Sequence, residues 1–156
     1  MNDRQSDLRP SPISLVIPCR PEYVALCRLV AGALGARDLL DEEEVADIKV
    51  IVTEACNCFL GMARVGSDAA CSDAQVGRGE PPEGCSLRMD FDSRPEAFVI
   101  SVLYPEKREL VSWLEGCDPM SEAGLGLTIL KSLTDEMVEF EKEPEGTVLQ
   151  LTRNWL

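Results

Sequence analysis

Two glycines one residue apart, Gly124 and Gly126, stand at the start of a predicted amphipathic helix near the end of the chain. Glycine lets the backbone approach another group closely, and the unpaired N–H groups of a helix start favour anions. The segment, which also contains Leu125 and Thr128, therefore predicts one of two things. It is a phosphate cradle, or it is a helix start that must pack closely on the sheet.

The charge of the chain favours protein partners over nucleic acid. The 156 residues carry a net charge of −13 and include no histidine. An acidic chain repels nucleic acid phosphates, so we expect no direct binding of DNA or RNA. An acidic face is predicted either to steer a basic partner or to keep the protein soluble, and it comprises Glu42, Glu43, Asp47, Glu139, Glu141 and Glu143.

The seven cysteines indicate thiols rather than a disulfide framework or a zinc site. Their number is odd, no secretory leader precedes them, and no apolar run is long enough to span a membrane. We therefore expect a cytoplasmic protein with free thiols. No Cys-x-x-Cys pair is present, so buried packing is the favoured role, for Cys56 and Cys58 as well as for the others.

The elements that position these residues follow from the apolar periodicity. Residues 1–12 are predicted as a flexible tail and residues 13–156 as a single domain. Strands are expected at 13–17, 86–92, 97–103, 135–142 and 146–152, helices at 21–37, 41–66 and 125–133, a flexible loop at 66–84 and a lid-like connection at 104–123. This order predicts an α+β two-layer sandwich, with a mixed, mostly antiparallel sheet and three helices on one face.

The two longer helices have predicted buried faces. Asp41 and Glu44 have the form of a capping box at the start of the second helix. Its apolar stripe is Val45, Ile48, Val52, Ala55, Phe59 and Met62. The first helix is predicted to bury Tyr23, Leu26, Leu29, Val30, Ala33 and Leu34.

Four short motifs follow one another in a recognisable order. They are Arg20-Pro21-Glu22-Tyr23, Asp41-Glu42-Glu43-Glu44, Val52-Thr53-Glu54-Ala55-Cys56, and the Gly124-Leu125-Gly126-Leu127 helix that ends in Leu133-Thr134-Asp135-Glu136. With the order of elements over residues 13–153, they resemble the GHKL (Bergerat-fold) ATPase superfamily. The chain is most similar to its anti-sigma factor serine kinases of bacterial partner switching.

The resemblance implies a MgATP site built from three elements. A helix carries Glu-x-x-x-Asn, in which the Glu, here Glu54, is a candidate general base and the Asn oxygen holds Mg²⁺. An Asp-x-Gly-x-Gly turn contacts adenine, and a Gly-x-Gly helix start, here Gly124 to Thr128, cradles phosphates. The implied reaction moves the γ-phosphate to a serine of an antagonist protein, while the same domain also binds a sigma factor.

The magnesium ligand of that pattern is missing. Cys58 occupies the Asn position, and Met62 occupies the position of a frequent histidine. Because each helical residue turns by about 100°, Asn57 is expected to face water, opposite to the apolar stripe. A neutral thiol is a poor ligand for a hard cation, so we predict no metal site.

The adenine turn is also altered. Tyr104 replaces the adenine-contacting Asp, and Glu106 and Arg108 stand near the positions of the glycines. Glu54 is therefore interpreted as a vestigial base or a solvated carboxylate. Trp113, with Val111 and Leu114, suggests that the 104–123 connection folds down into the vacant pocket; a plain surface loop is the alternative.

These departures lead to an expected function with alternatives. We expect an anti-sigma-factor-like regulator that binds a sigma factor or an antagonist domain, forms a homodimer as the family often does, and has weakened or lost nucleotide binding. The alternative is an active serine kinase that uses ATP or ADP with Mg²⁺, in which Asn57 or a water replaces the missing ligand. A third possibility is a partner outside sigma-factor control.

Overall fold

A computed structural model describes residues 12–38, 40–65 and 83–155. The predicted tail lies outside these ranges except for Pro12, and the predicted loop 66–84 lies outside them except for Glu83 and Gly84. The described residues form two layers, one of strands and one of helices. The predicted α+β two-layer sandwich is therefore confirmed.

An antiparallel sheet forms one layer. Its five strands lie in the order β1-β2-β3-β5-β4, and every described pair of neighbours is antiparallel. The strands are β1 (Ile13–Pro18), β2 (Ser86–Ser93), β3 (Ala97–Tyr104), β4 (Glu136–Lys142) and β5 (Gly146–Asn154). The strand boundaries follow the predicted ones closely.

The described residues contain four α-helices where three were predicted. They are α1 (Val24–Arg37), which a 3-10 turn precedes, α2 (Glu42–Ala63), α3 (Leu110–Glu115) and α4 (Glu122–Leu133). The additional helix, α3, lies inside the predicted 104–123 connection and is too short to show an apolar period. Helix α4 begins at Glu122, so both glycines lie within it. No helix in the described ranges has the length and apolarity needed to cross a membrane.

The core lies between the helices and one face of the sheet. Met89 pairs with Val102 and Phe91 with Ile100, and all four side chains are buried. Alternation along the strands places them on a single face. From the other side, α2 contributes the predicted stripe, of which the fully buried members are Ile48, Val52, Ala55, Phe59 and Met62.

The buried face of α1 is not the predicted one. Leu26 and Leu29 are 45% and 68% exposed. This helix is apolar on most sides, so periodicity alone could not identify the face that packs. The buried face is the one that contains Gly35, because only a residue without a side chain lets α1 approach α2 so closely. A Cβ on Gly35 would lie only 2.7 Å from Cγ2 of Val45. The buried residues are Val24, Cys27, Ala31, Leu34 and Gly35.

One arginine links the helices that carry the candidate site. The Asp41 side chain caps α2 by accepting the Glu44 N–H at 2.8 Å. Instead of completing the box, the Glu44 carboxylate accepts from Arg153 Nε at 2.8 Å. Arg153 also donates to Asp47 and to the Leu133 carbonyl, both at 2.7 Å. It therefore joins β5 to the start of α2 and the end of α4.

The expectation that all cysteines are free thiols is wrong for Cys19 and Cys85, which form a disulfide with each other, and for Cys117, which is also disulfide-bonded. The pairing of β1 with β2 continues to these residues, since the Cys19 N–H donates to the Cys85 carbonyl at 3.0 Å. Strand pairing thus brings together two residues 66 positions apart in the sequence. Three other cysteines are free and buried, as expected, namely Cys27, Cys56 and Cys58.

Candidate functional site

Three residues selected from the sequence meet where α2 packs against α4. A Cβ built on Gly126 would lie 3.0 Å from Oε2 of Glu54 and 3.3 Å from Sγ of Cys58. The candidate base, the residue at the magnesium-ligand position and the second glycine thus share one contact. This arrangement follows from the helical spacing of Glu54 and Cys58, which places both side chains toward α4.

Two carboxylates make this contact unfavourable for an anion. Glu54 is half-buried, and burial is the main reason that its pKa is raised above the ordinary value. The negative charge of Glu122, in the first turn of α4, raises the Glu54 pKa further. A phosphate placed at this helix start would meet both acidic side chains, and like charges repel.

Position 58 carries a protonated thiol at neutral pH. Cys58 is buried, and burial followed by the charge of Glu54 raises its pKa to about 12. A neutral thiol offers Mg²⁺ no hard oxygen ligand. Asn57 is exposed, as predicted, and so does not face this contact. In the described part of the chain, no group of three or more Cys, Asp or Glu side chains is arranged to hold a metal ion.

The start of α4 is capped by Ser121. Ser121 accepts the Gly124 N–H at its Oγ, at 3.1 Å, and the Leu125 N–H at its carbonyl, at 2.8 Å. Of these two, only the Gly124 amide belongs to the otherwise unpaired first turn that a phosphate cradle would present to its ligand, because the Leu125 bond is the first regular bond of the helix. Thr128 is exposed, and its hydroxyl donates to the Gly124 carbonyl at 3.2 Å.

Gly124 is needed for close packing, and Gly126 lies in a tight but adjustable contact. A Cβ on Gly124 would lie 2.2 Å from the Asp118 carbonyl oxygen and 2.9 Å from Cα of Pro119. Gly126 faces α2 less tightly, because its neighbours there are side-chain atoms of Glu54 and Cys58 and not backbone. Close packing therefore accounts for Gly124 and in part for Gly126, although the neighbours are a helix and a loop and not the sheet.

Tyr104 belongs to the hydrophobic core. Its ring is fully buried and stacks on Phe59, with ring centroids 5.7 Å apart. Its hydroxyl is buried and has no hydrogen-bond partner among the described residues. The side chain at the adenine-contacting position therefore fills space beside α2 and presents no carboxylate to a base.

Residues 105–121, here called the strap, cover the end of α2. Leu110 and Leu114 of α3 are fully buried. Trp113 lies across Gly61 of α2, because a Cβ on that glycine would be 3.7 Å from Cη2 of the indole. The packing agrees with the predicted inward folding of the 104–123 connection and is not that of a free surface loop.

Two clefts of the described residues lie away from this contact. One of about 810 Å³ borders the Cys19–Cys85 disulfide and the 3-10 turn. Another, of about 280 Å³, lies on the open face of the sheet between Leu103 and Phe140. Neither is lined by Glu54, Cys58 or the glycines of α4.

Sequence reasoning missed four residues that shape the site. Ser121 could have been recognised as a helix cap preceding an acidic first turn. Glu122 carried the same signal but was not connected with Glu54. Glu139 was placed in the acidic face and Thr147 gave no local signal, because the strap residues that they bind are 28 and 39 residues away in the sequence.

Glu54→Gln is expected to stabilise the protein at neutral pH. A raised pKa in the folded state means that folding favours the protonated carboxyl. The stability that Glu54 contributes is therefore complete below its unfolded-state pKa and is lost as pH rises through the folded-state pKa. Because glutamine does not titrate, the variant should gain a small rise in Tm that develops across this window. Thermal unfolding from pH 4 to 8 measures it.

The exposed carboxylate of Glu136 provides the control for this variant. Glu136→Gln should show no comparable rise in Tm at neutral pH. If Glu54→Gln and wild type unfold at the same temperature across the whole range, the environment assigned to Glu54 is wrong.

Comparison with known proteins gives one family. A model of the histidine kinase-like ATPase domain matches residues 17–153. The chain is 30% identical over 132 residues to the serine-protein kinase RsbW of Bacillus pumilus, which covers 80% of this chain and 75% of that protein. It is 27% identical over 155 residues to the serine-protein kinase RsbW of Halalkalibacterium halodurans, covering 93% and 84%.

A solved structure shares the fold. A chain in the crystal structure of the SiaB-SiaC complex from Pseudomonas aeruginosa superposes with a TM-score of 0.60, covering 97% of this chain and 94% of that one at 14% identity. The family model spans nearly all of the predicted domain, and the similarity to the RsbW kinases extends over most of the chain. The resemblance drawn from the four motifs is thus confirmed, and the chain belongs to the histidine kinase-like ATPase domain family.

Proposed function

We propose that this protein acts in partner switching as an anti-sigma-factor-like regulator that works by binding other proteins, with nucleotide binding weakened or lost. The observation that carries the proposal is the contact of Glu54 and Cys58 with Gly126, beside Glu122. At this contact, a buried thiol stands at the position of the magnesium ligand and packs, with Glu54, against the glycine helix. The fold of the family is retained.

Magnesium does not fit the residues at this position. The family places an amide oxygen four residues after the glutamate, and this chain places a buried, protonated thiol there. Phosphoryl transfer depends on positioning and on neutralisation of phosphate charge by the metal. Without that ligand, transfer should be slower by orders of magnitude.

Adenine also lacks its usual contact. Tyr104 turns its ring into the core, and the strap buries Leu110 and Leu114 over the end of α2. A nucleotide would have to displace this packing, which reduces its affinity by the free energy needed to open the strap.

A protein partner is supported by the relatives. The RsbW proteins are serine-protein kinases, and the structural neighbour was solved in a complex with another protein, SiaC. For this chain we propose a sigma factor or an antagonist domain as partner, and a homodimer as the regulating unit. The net charge of −13 favours a basic partner surface.

A second candidate, an active serine kinase, is favoured by Glu54. This carboxylate is half-buried, has a raised pKa and lies beside the glycine helix, as expected for a general base. In this case MgATP would bind with a rearranged metal shell. Asn57 is a poor replacement ligand because it is exposed on another side of α2.

Paired binding and phosphorylation measurements separate the two. Sigma factors and antagonist domains from the source organism are purified and titrated with this protein, with and without MgATP. We expect one of them to bind with a Kd that MgATP changes by less than about threefold, and the mass of the antagonist to stay unchanged after incubation. Phosphate on an antagonist serine would instead establish the kinase, and failure of every candidate to bind would contradict the proposed regulator.

A further inference from the structure

The strap is attached to the sheet at its first end by Thr147. This buried threonine of β5 accepts the Arg108 N–H at 2.8 Å and lies 2.8 Å from the Glu106 carbonyl, to which its hydroxyl donates. At the other end, the Asp118 carbonyl accepts from Ser121, the cap of α4, and packs on Gly124. The middle of the strap, which contains α3, therefore spans two fixed points.

A carboxylate from β4 holds this middle part. Oε2 of Glu139 accepts the Val111 N–H at 3.0 Å, and the Leu110 N–H also hydrogen-bonds to this side chain. Helix α3 has six residues, and Glu109, at its own cap position, provides no side-chain hydrogen bond. Such a short helix is not stable without outside support. Glu139 supplies the missing cap from another element, since a carboxylate satisfies unpaired amides at a helix start.

We propose that Glu139 is the latch of the strap, whose hydrogen bonds to α3 keep residues 105–121 closed over the end of α2 and packed, through Asp118, on the start of the helix that makes the contact with Glu54 and Cys58. Only one part of this proposal rests on the proposed function, namely that the closed strap excludes nucleotide and any partner segment from this contact. The attachment itself is an intramolecular property that can be measured without either ligand.

The contacts of the strap predict how it opens. Leu110 and Leu114 are anchored by burial, whereas the link through Glu139 consists of hydrogen bonds to a half-buried carboxylate. Local opening of a segment exposes its amides to solvent without unfolding the rest of the protein. Loss of the latch should therefore raise amide exchange in α3 and leave exchange in α2 and β5 unchanged.

Hydrogen exchange of three variants tests the latch in the nucleotide-free protein. In Glu139→Ala, exchange of the α3 amides should rise about tenfold or more over wild type. Glu139→Gln keeps an acceptor oxygen and should remain within about threefold of wild type. The control is Glu136→Ala, an exposed carboxylate on the same strand, which should leave α3 unchanged.

Two results would overturn the latch. One is α3 exchange in Glu139→Ala equal to that of wild type, and the other is an equal rise in all elements, which would mean general destabilisation. If Glu139→Ala does not fold, wild-type exchange in low denaturant decides. If the exchange rate of the α3 amides does not depend on denaturant, the strap opens separately from the rest of the protein, as proposed. If these amides exchange only when the whole protein unfolds, the latch is contradicted. Neither result depends on MgATP, so the latch and the proposed function fail separately.

Discussion

Tyr104→Asp, which restores the carboxylate that the family uses for adenine, is expected to destabilise the protein by about 3–5 kcal/mol and not to restore nucleotide binding. The tyrosine ring is fully buried and stacks on Phe59. Aspartate would leave a cavity in the core and bury a carboxylate there, and both changes cost free energy. Chemical denaturation monitored by tryptophan fluorescence measures the loss.

Tyr104→Phe is the matched control, because it keeps the ring and removes only the hydroxyl. That hydroxyl is buried without a partner among the described residues. Its removal should leave the free energy of unfolding unchanged or raise it by about 1 kcal/mol. A stable Tyr104→Asp that gains affinity for MgADP would show that position 104 still belongs to a nucleotide site.

Gly124→Ala is expected to lower the free energy of unfolding by about 2–3 kcal/mol. The new Cβ would lie 2.2 Å from the Asp118 carbonyl oxygen, and backbone on both sides must move to relieve the overlap. This cost exceeds the gain of about 1 kcal/mol that alanine brings to a helix. If the glycine served only a phosphate ligand, the same change would leave the stability of the free protein intact or improved.

Gly126→Ala tests the contact with α2 in the same assay. Its Cβ would meet the mobile end of Glu54 at 3.0 Å and the Cys58 sulfur at 3.3 Å. Small shifts of these side chains relieve the contact, and helix propensity compensates in part. We expect a change within about 1 kcal/mol in either direction. A larger loss than for Gly124→Ala would contradict the packing described here.

Much of the fold could be predicted because local patterns and tertiary contacts agree. The stripe of α2 repeats at three and four residues, Asp41 caps it, and the strands alternate between buried and exposed positions. Where a helix is apolar on most sides, as α1 is, periodicity cannot choose the packed face. There, Gly35 selects it by allowing contact with Val45.

Less of the site could be predicted, because its features depend on distant contacts. The approach of Glu54 and Cys58 to Gly126 followed from motif order, and the exposure of Asn57 followed from helix geometry. The short helix α3 has no period of its own and is stabilised by Glu139, which is remote in sequence. The pairing of Cys19 with Cys85 likewise depends on strand register, which the sequence shows only after the strands are aligned.

Titration of the protein with MgATP, and separately with MgADP, in a calorimeter tests the central claim most directly. A ligand that binds only the folded state must also raise Tm. At a concentration one hundred times its Kd, it adds about 2.7 kcal/mol to the free energy of unfolding. With millimolar nucleotide we predict no binding heat and no measurable change in Tm, because Cys58, Glu122 and Tyr104 oppose binding of the metal, the phosphates and the base. Saturable binding of MgATP with a clear rise in Tm would contradict this account and favour the kinase.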